Sequence, residues 1–351
     1  MIADMVSSDI PAPRLTADPA PQGPRSRGIE RLTDLPVALA VQAAGWVLSR
    51  LGPRASYRFA GLLAEAWWRL VPSRRRIALR NLEIAYRGAL APAEMERIAR
   101  ESFFHAMATA AGTFLQERWV DGGDRPGVVS ADAAVEGILT QPHPRGICIL
   151  CGHLGDWEMI HYWFALQGLG GLAVVRRIHN PHLDRLVTRL RSCHGGSVTN
   201  KDGALRVLRQ TLRDGKVIGL LADQSAPPSE GFRRFFGASA ATHQRYGRFL
   251  VRSGCEIHLV VCIRQAESFR FLLKARDLTG AIRGPGTEAE RAERLVAAYL
   301  EALEAFIREH PGQYLWMHRR WKIRPPGAPD LYRDLDRPLD PAILEGEADR
   351  A

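Results

Sequence analysis

The chain has 351 residues, of which 46% are hydrophobic and 25% charged, enough for one large globular domain with added helices or tails, or for two smaller domains. Its formal net charge of +10 suits an anionic membrane surface or an acidic protein partner, or is simply a solvated basic face. Nucleic acid is excluded as a partner, because no zinc finger, RNA-binding sheet signature or dense basic helix accompanies the charge.

The first 28 residues carry Asp4 and Asp9 and then Pro11, Pro13, Pro19, Pro21 and Pro24. They hold no secretory signal and read as a disordered tail. An N-terminal helical region follows over 29–120. Two helices are expected over residues 30–70, divided at Gly52-Pro53. The apolar stretch Leu35 to Leu48 contains Gln42 and falls short of the ~20 residues a spanning helix needs. The second helix carries Phe59, Leu62, Leu63, Trp67, Trp68, Leu70 and Val71 beside Arg69, Arg74, Arg75 and Arg76. This composition packs into a core and also suits a helix lying in a membrane interface. Helices continue over Arg74 to Tyr86 and Pro92 to Gln116.

From about residue 145 the pattern changes to alternating strands and helices. Strands are expected at Gly146–Cys151, Gly171–Val175, Lys216–Leu221, Glu256–Ile263, Phe269–Leu273 and Gln313–Met317. Helices are expected at Pro181–Cys193, Gly203–Arg213, Gln244–Ser253 and Glu288–Glu309. The alternation argues for an α/β core over 121–324, a mixed sheet flanked by helices. The tail, 325–351, is rich in proline and charge and should wrap the surface or hang loose. Cys148, Cys151, Cys193, Cys255 and Cys262 are scattered, mostly in apolar runs, and read as small core residues in a reducing compartment. The CxxC spacing of Cys148 and Cys151 has no second pair to complete a zinc site, and His179 with His182 lacks a third ligand. No metal and no cofactor is expected.

The most informative segment is Cys151-Gly152-His153-Leu154-Gly155-Asp156-Trp157-Glu158, which follows the apolar run Ile147–Leu150. Glycines allow a tight turn at the end of a buried strand, and Asp156 can cap a helix beginning at Trp157. His153 then stands at the carboxyl end of a strand, where α/β sheets bind ligands. A neutral imidazole there can take a proton from a substrate hydroxyl, with Glu158 fixing its tautomer and stabilising the imidazolium. Three more clusters follow: Arg176-Arg177-Ile178-His179-Asn180-Pro181, Leu220-Leu221-Ala222-Asp223-Gln224 leading to Phe235-Phe236-Gly237, and Trp316-Met317-His318-Arg319-Arg320-Trp321-Lys322. Phe235, Phe236 and Trp163 read as core. Asp223 could orient His153 or an arginine.

In order and spacing these four motifs resemble the bacterial lipid A late acyltransferases, the lauroyl and myristoyl transferases, within the wider glycerolipid acyltransferase group. The resemblance covers about residues 35–325. It implies a glycerolipid-acyltransferase-like α/β fold with an N-terminal membrane-associating region. It further implies transfer of a fatty acyl chain from an acyl-carrier-protein or acyl-CoA thioester to a hydroxyl of a membrane glycolipid at the cytoplasmic face of the inner membrane. By position, His153 matches the catalytic histidine and Glu158 its acid. Arg176 and Asp223 match the second and third motifs, and Arg319 and Arg320 are placed to meet an anionic headgroup. The chain departs from the family in its weak first transmembrane helix and in lacking a proline in the strand that contains Ile257-His258-Leu259. Another acceptor, such as a mannolipid or aminolipid, and a non-catalytic lipid-binding relative are the alternatives. A serine hydrolase is disfavoured, since no Gly-x-Ser-x-Gly elbow appears.

Overall fold

The structure is a computed structural model and describes residues 27–121, 128–192, 195–200, 204–266, 269–340 and 342–343. Most of the expected N-terminal tail, the end of the C-terminal tail and Cys193 lie outside the described residues. Four helices come first: α1 (Arg27–Leu51), α2 (Pro53–Leu70), α3 (Pro72–Tyr86) and α4 (Pro92–Asp121). Pro53 and Pro72 each stand at a helix start, where proline's missing N–H costs nothing.

The remainder is a mixed α/β unit. Its elements are β1 (Val129–Ala131), α5 (Ala133–Thr140), β2 (Ile147–Cys151), α6 (Trp157–Leu166), β3 (Gly171–Val175), α7 (Pro181–Arg191), β4 (Ser197–Asn200), α8 (Ala204–Arg213) and β5 (Val217–Leu221). There follow β6 (Phe232–Phe235), β7 (Ala238–Ala241), α9 (Arg245–Ser253), β8 (Glu256–Arg264), β9 (Phe271–Asp277), α10 (Gly280–Arg283) and α11 (Glu288–Glu309). The main sheet has the order β1-β9-β8-β2-β5-β3-β4. Its strands run parallel except where β8 meets β9 in antiparallel pairing, while β6 and β7 form a separate hairpin.

Every residue of β2 is buried, as expected of a central strand covered on both faces. Its side chains alternate between two cores. Cys148 and Leu150 pack with residues of α8, α9 and α11, whereas Ile147, Ile149 and Cys151 pack with α5 and α6. The helical region joins both cores: Trp68, Leu82 and Phe103 enter the first, and Tyr57, Ala60 and Leu115 the second. Phe235, Phe236 and Trp163 are buried, as their composition predicts, and so are the free cysteines Cys148, Cys151, Cys255 and Cys262.

Two expectations about the chain's end change. No strand forms over Gln313–Met317. A 3-10 turn at Pro311–Gln313 is followed by irregular chain, whose single bridge pairs Tyr314 with Leu154. The start of the C-terminal tail wraps the surface: the buried Arg80 guanidinium donates to the carbonyl oxygens of Leu331 at 2.6 Å, of Asp334 and of Arg337. Leu331 and Tyr332 are buried beneath it.

Candidate active site

Strands β2 and β5 are adjacent and parallel, with Cys151 opposite Leu221. Two residues beyond each of these partners lie His153 and Asp223, so the sheet register itself brings the two together. The His153 ring donates from Nδ1 to Asp223 Oδ1 at 2.7 Å, and its backbone N–H donates to Asp223 Oδ2 at 2.8 Å. Both carboxylate oxygens thus bond His153, which fixes the ring's orientation and its tautomer. Gln224 lies at the opposite nitrogen, with its side-chain amide 3.2 Å from His153 Nε2. The Trp157 ring flanks the imidazole at a centroid distance of 5.0 Å.

Burial disfavours the charged form of His153, but the charge and hydrogen bond of Asp223, helped by the charge of Glu158, hold its pKa above the ordinary 6.5. Asp223 moves in the opposite sense. Burial would raise it, yet the imidazole, two hydrogen bonds and the nearby Arg320 charge hold it below the usual carboxylate range. His318 is adjacent and accepts the Ser225 backbone N–H at Nε2 at 3.3 Å. Burial pushes its pKa down to about 4, so it is neutral when it accepts that bond.

The turn that presents His153 is held from both sides. Gly155 has φ +66°, and an added Cβ would stand 2.0 Å from the Cys262 carbonyl oxygen, so only glycine fits there. The Gly155 N–H donates to Gln313 O, the Asp156 N–H donates to Cys262 O, and the His153 carbonyl accepts from Leu315. Asp156 caps α6 as the sequence predicts, with its side chain accepting from the Met159 N–H at 3.2 Å. The backbone that failed to form a last strand is therefore spent on fixing the histidine turn.

The other expected site residues divide. Glu158 does not reach the imidazole: Arg191, in the last turn of α7, takes both its oxygens at 2.7 and 2.5 Å. The physical reason is the cap. Once α6 begins at Trp157, Glu158 lies in its first turn and meets the guanidinium fork across the α6–α7 contact, leaving Nδ1 to Asp223. Arg320 is likewise not open to a headgroup. It is buried and donates to Ala241 O at 2.7 Å and Thr242 Oγ1 at 2.8 Å, tying the chain after His318 to the β6–β7 hairpin. Arg319 is half-buried, with its guanidinium over the Tyr332 ring. Arg176 is exposed at the carboxyl end of β3, on the edge of the sheet where His153 and Asp223 stand. Sequence reasoning assigned no role to Gln224, Arg191 or His318. Equal two-residue offsets after two apolar strands were the one signal that could have paired His153 with Asp223.

A narrow apolar cleft of about 40 Å³ lies between α6 and the sheet. Cys151, Trp157, Ile160, Phe164, Ala173 and Leu221 are among its walls. Among the described residues, no group of three or more His, Cys, Asp or Glu side chains is arranged to hold a metal.

A histidine fixed by a buried carboxylate at the mouth of an α/β sheet has a geometry able to serve as a general base. The chain is 25% identical over 301 residues to the lipid A biosynthesis lauroyltransferase of Escherichia coli K12, covering 82% of this chain and 92% of that protein. It is 27% identical over 272 residues to the lipid A biosynthesis palmitoleoyltransferase of the same organism, covering 74% and 82%. With the lipid A biosynthesis myristoyltransferase of that organism it shares 26% over 295 residues, covering 83% and 84%. The profile of the family described as bacterial lipid A biosynthesis acyltransferase matches residues 31–323, and the chain belongs to that family.

Proposed function

We propose that this acyltransferase moves a fatty acyl chain from a thioester, carried on acyl carrier protein or coenzyme A, to a hydroxyl of a lipid A precursor or a similar membrane glycolipid. The observation that carries this reading is the His153–Asp223 pair: Nδ1–H is held by the buried carboxylate, and Nε2 is presented with its lone pair outward. The acceptor hydroxyl takes the place of the Gln224 amide at Nε2. Its oxygen attacks the thioester carbonyl as its proton passes to Nε2. The tetrahedral intermediate then collapses, the C–S bond breaks, and the imidazolium returns its proton to the leaving thiolate. Asp223 holds the ring and offsets its transient positive charge. The test is incubation of the purified protein with acyl carrier protein or coenzyme A thioesters and a lipid A precursor. The expected result is one added acyl chain by mass spectrometry. Thioester loss with no acylated lipid would replace this reading with a hydrolase.

A membrane-resident acceptor requires an attached enzyme. No helix among the described residues is long and apolar enough to cross a membrane. Helices α1 and α2 nevertheless expose Leu35, Leu39, Trp46, Leu51, Leu62 and Leu70. We propose that these side chains lie in the interface, aided by arginine attraction to anionic lipid at the cytoplasmic face of the inner membrane. Alkaline or high-salt washing should release much of the protein from membranes, and extraction by detergent alone would overturn peripheral attachment.

Arg176 has no ion pair or side-chain hydrogen bond among the described residues and stands at the site's edge, free to take a phosphate on donor or acceptor. Arg176→Ala should raise KM for one of the two substrates, and Arg176→Lys should rescue it only in part, because lysine lacks the bidentate fork. Unchanged KM for both substrates at low salt would remove Arg176 from the site.

A further inference from the structure

The parallel strands β5, β2 and β8 are neighbours, and the chemistry described above stands at the carboxyl ends of β2 and β5. Their opposite ends surround a second cavity of about 390 Å³, a size typical of small-molecule pockets. Its walls include Arg145, just before β2, Arg209 and Arg213 on α8, just before β5, and Arg252 with Ser253 at the end of α9, just before β8. Leu212, Phe249 and Pro144 supply an apolar side.

Helix ends explain part of this charge. Arg213 and Arg252 lie in the last turns of α8 and α9, where cations are favourable, and Arg252 is paired with Glu288 at 2.8 Å. The rest is unexplained by the fold. Arg145 belongs to no helix, and Arg209 precedes Arg213 by four positions, a like-charge spacing that destabilises a helix on its own. Among the described residues, Arg145, Arg209 and Arg213 have no ion pair and no side-chain hydrogen bond. Three uncompensated guanidinium groups from two segments therefore converge on one cavity whose remaining lining is apolar or neutral apart from the Glu288-paired Arg252.

From this convergence we infer that the cavity is a binding site for a small phosphorylated anion, a polyphosphate or a nucleotide. Guanidinium forks match phosphate oxygens in pairs, and the apolar side accepts a ring. A five-residue strand spans about 16 Å, so a ligand there cannot touch the acyl-transfer chemistry. The site stands at the far edge of the sheet, independently of the acyl donor and acceptor proposed above.

The experiment is titration calorimetry on the full chain with inorganic tripolyphosphate, with ATP, and with phosphatidylglycerol vesicles. The wild type and His153→Ala should bind tripolyphosphate equally at one site. Arg209→Ala/Arg213→Ala, at two exposed positions, should keep its melting temperature and bind at least tenfold more weakly, about 1.4 kcal/mol. Arg145→Gln should weaken binding in the same direction. Tighter binding of ATP than of tripolyphosphate identifies a nucleotide as the ligand, and equal binding identifies the phosphate chain alone. Binding that survives in the double arginine variant, that is lost in His153→Ala, or that occurs with vesicles only, overturns the site.

Discussion

Replacing Asp223 by asparagine should lower acyl transfer by about 10²–10⁴-fold, the range of general-base assistance, and His153→Ala should lower it at least as far. Asparagine can still accept from the backbone N–H of His153, but its amide has no charge with which to hold Nδ1–H and offset an imidazolium. The variant should fold, because the side chains are nearly isosteric. Glu158→Gln separates the two acids, since its carboxylate is spent on Arg191 and touches His153 only through its field. It should therefore cost less than Asp223→Asn. The pH profile supplies the sign. His153 must be neutral to act, and its pKa is raised, so the acid limb of kcat/KM should lie above pH 6.5. In Asp223→Asn the charge that raises it is gone, and the limb should move to lower pH. Equal losses in Glu158→Gln and Asp223→Asn, with an unmoved limb in the latter, would return the acid's role to Glu158.

How the two acids differ in legibility is instructive. The buried strand β2, the Asp156 cap and the long helix α11 followed from local pattern, because each is decided by residues close in sequence. The His153–Asp223 pairing depends on the register of two strands some seventy positions apart, which periodicity does not encode. Glu158 was the nearer acid in sequence, but a helix start turned it toward α7. The short strand Ser197–Asn200 and the hairpin β6–β7 were missed, since a polar four-residue edge strand and the Phe232–Phe235 run carry no clear alternation. Burial of Arg320 was equally hidden. Its partners are a carbonyl oxygen and a hydroxyl near that hairpin, and nothing in the basic run His318–Lys322 distinguishes a fork turned inward from one turned to solvent.

The second large effect concerns Arg264 and Asp156, both fully buried and joined at 2.6 Å. Arg264 also donates to Tyr57 Oη at 2.9 Å and lies 3.1 Å from His105 Nδ1. Burial pushes Tyr57 up to about 12, and burial with the Arg264 charge pushes His105 down to about 3, so both partners are neutral. Asp156 is thus the anion that answers Arg264 in this network. Burial presses on it too, raising its pKa against the pull of Arg264, which is the desolvation cost of placing the pair inside. Asp156→Ala should therefore cost about 3–5 kcal/mol, because it strands a buried guanidinium, with about 1 kcal/mol more for the lost α6 cap. Against a total stability of about 5–15 kcal/mol this is a large fraction. Urea denaturation should show a lower midpoint with an unchanged slope. Asp156→Leu combined with Arg264→Met removes both charges and should recover most of the stability. It should not recover kcat, because the Asp156 side chain also caps α6 directly after the turn that carries His153, and leucine cannot replace that bond. A double variant that regains stability and full kcat together would show that the pair holds up the fold without positioning the base.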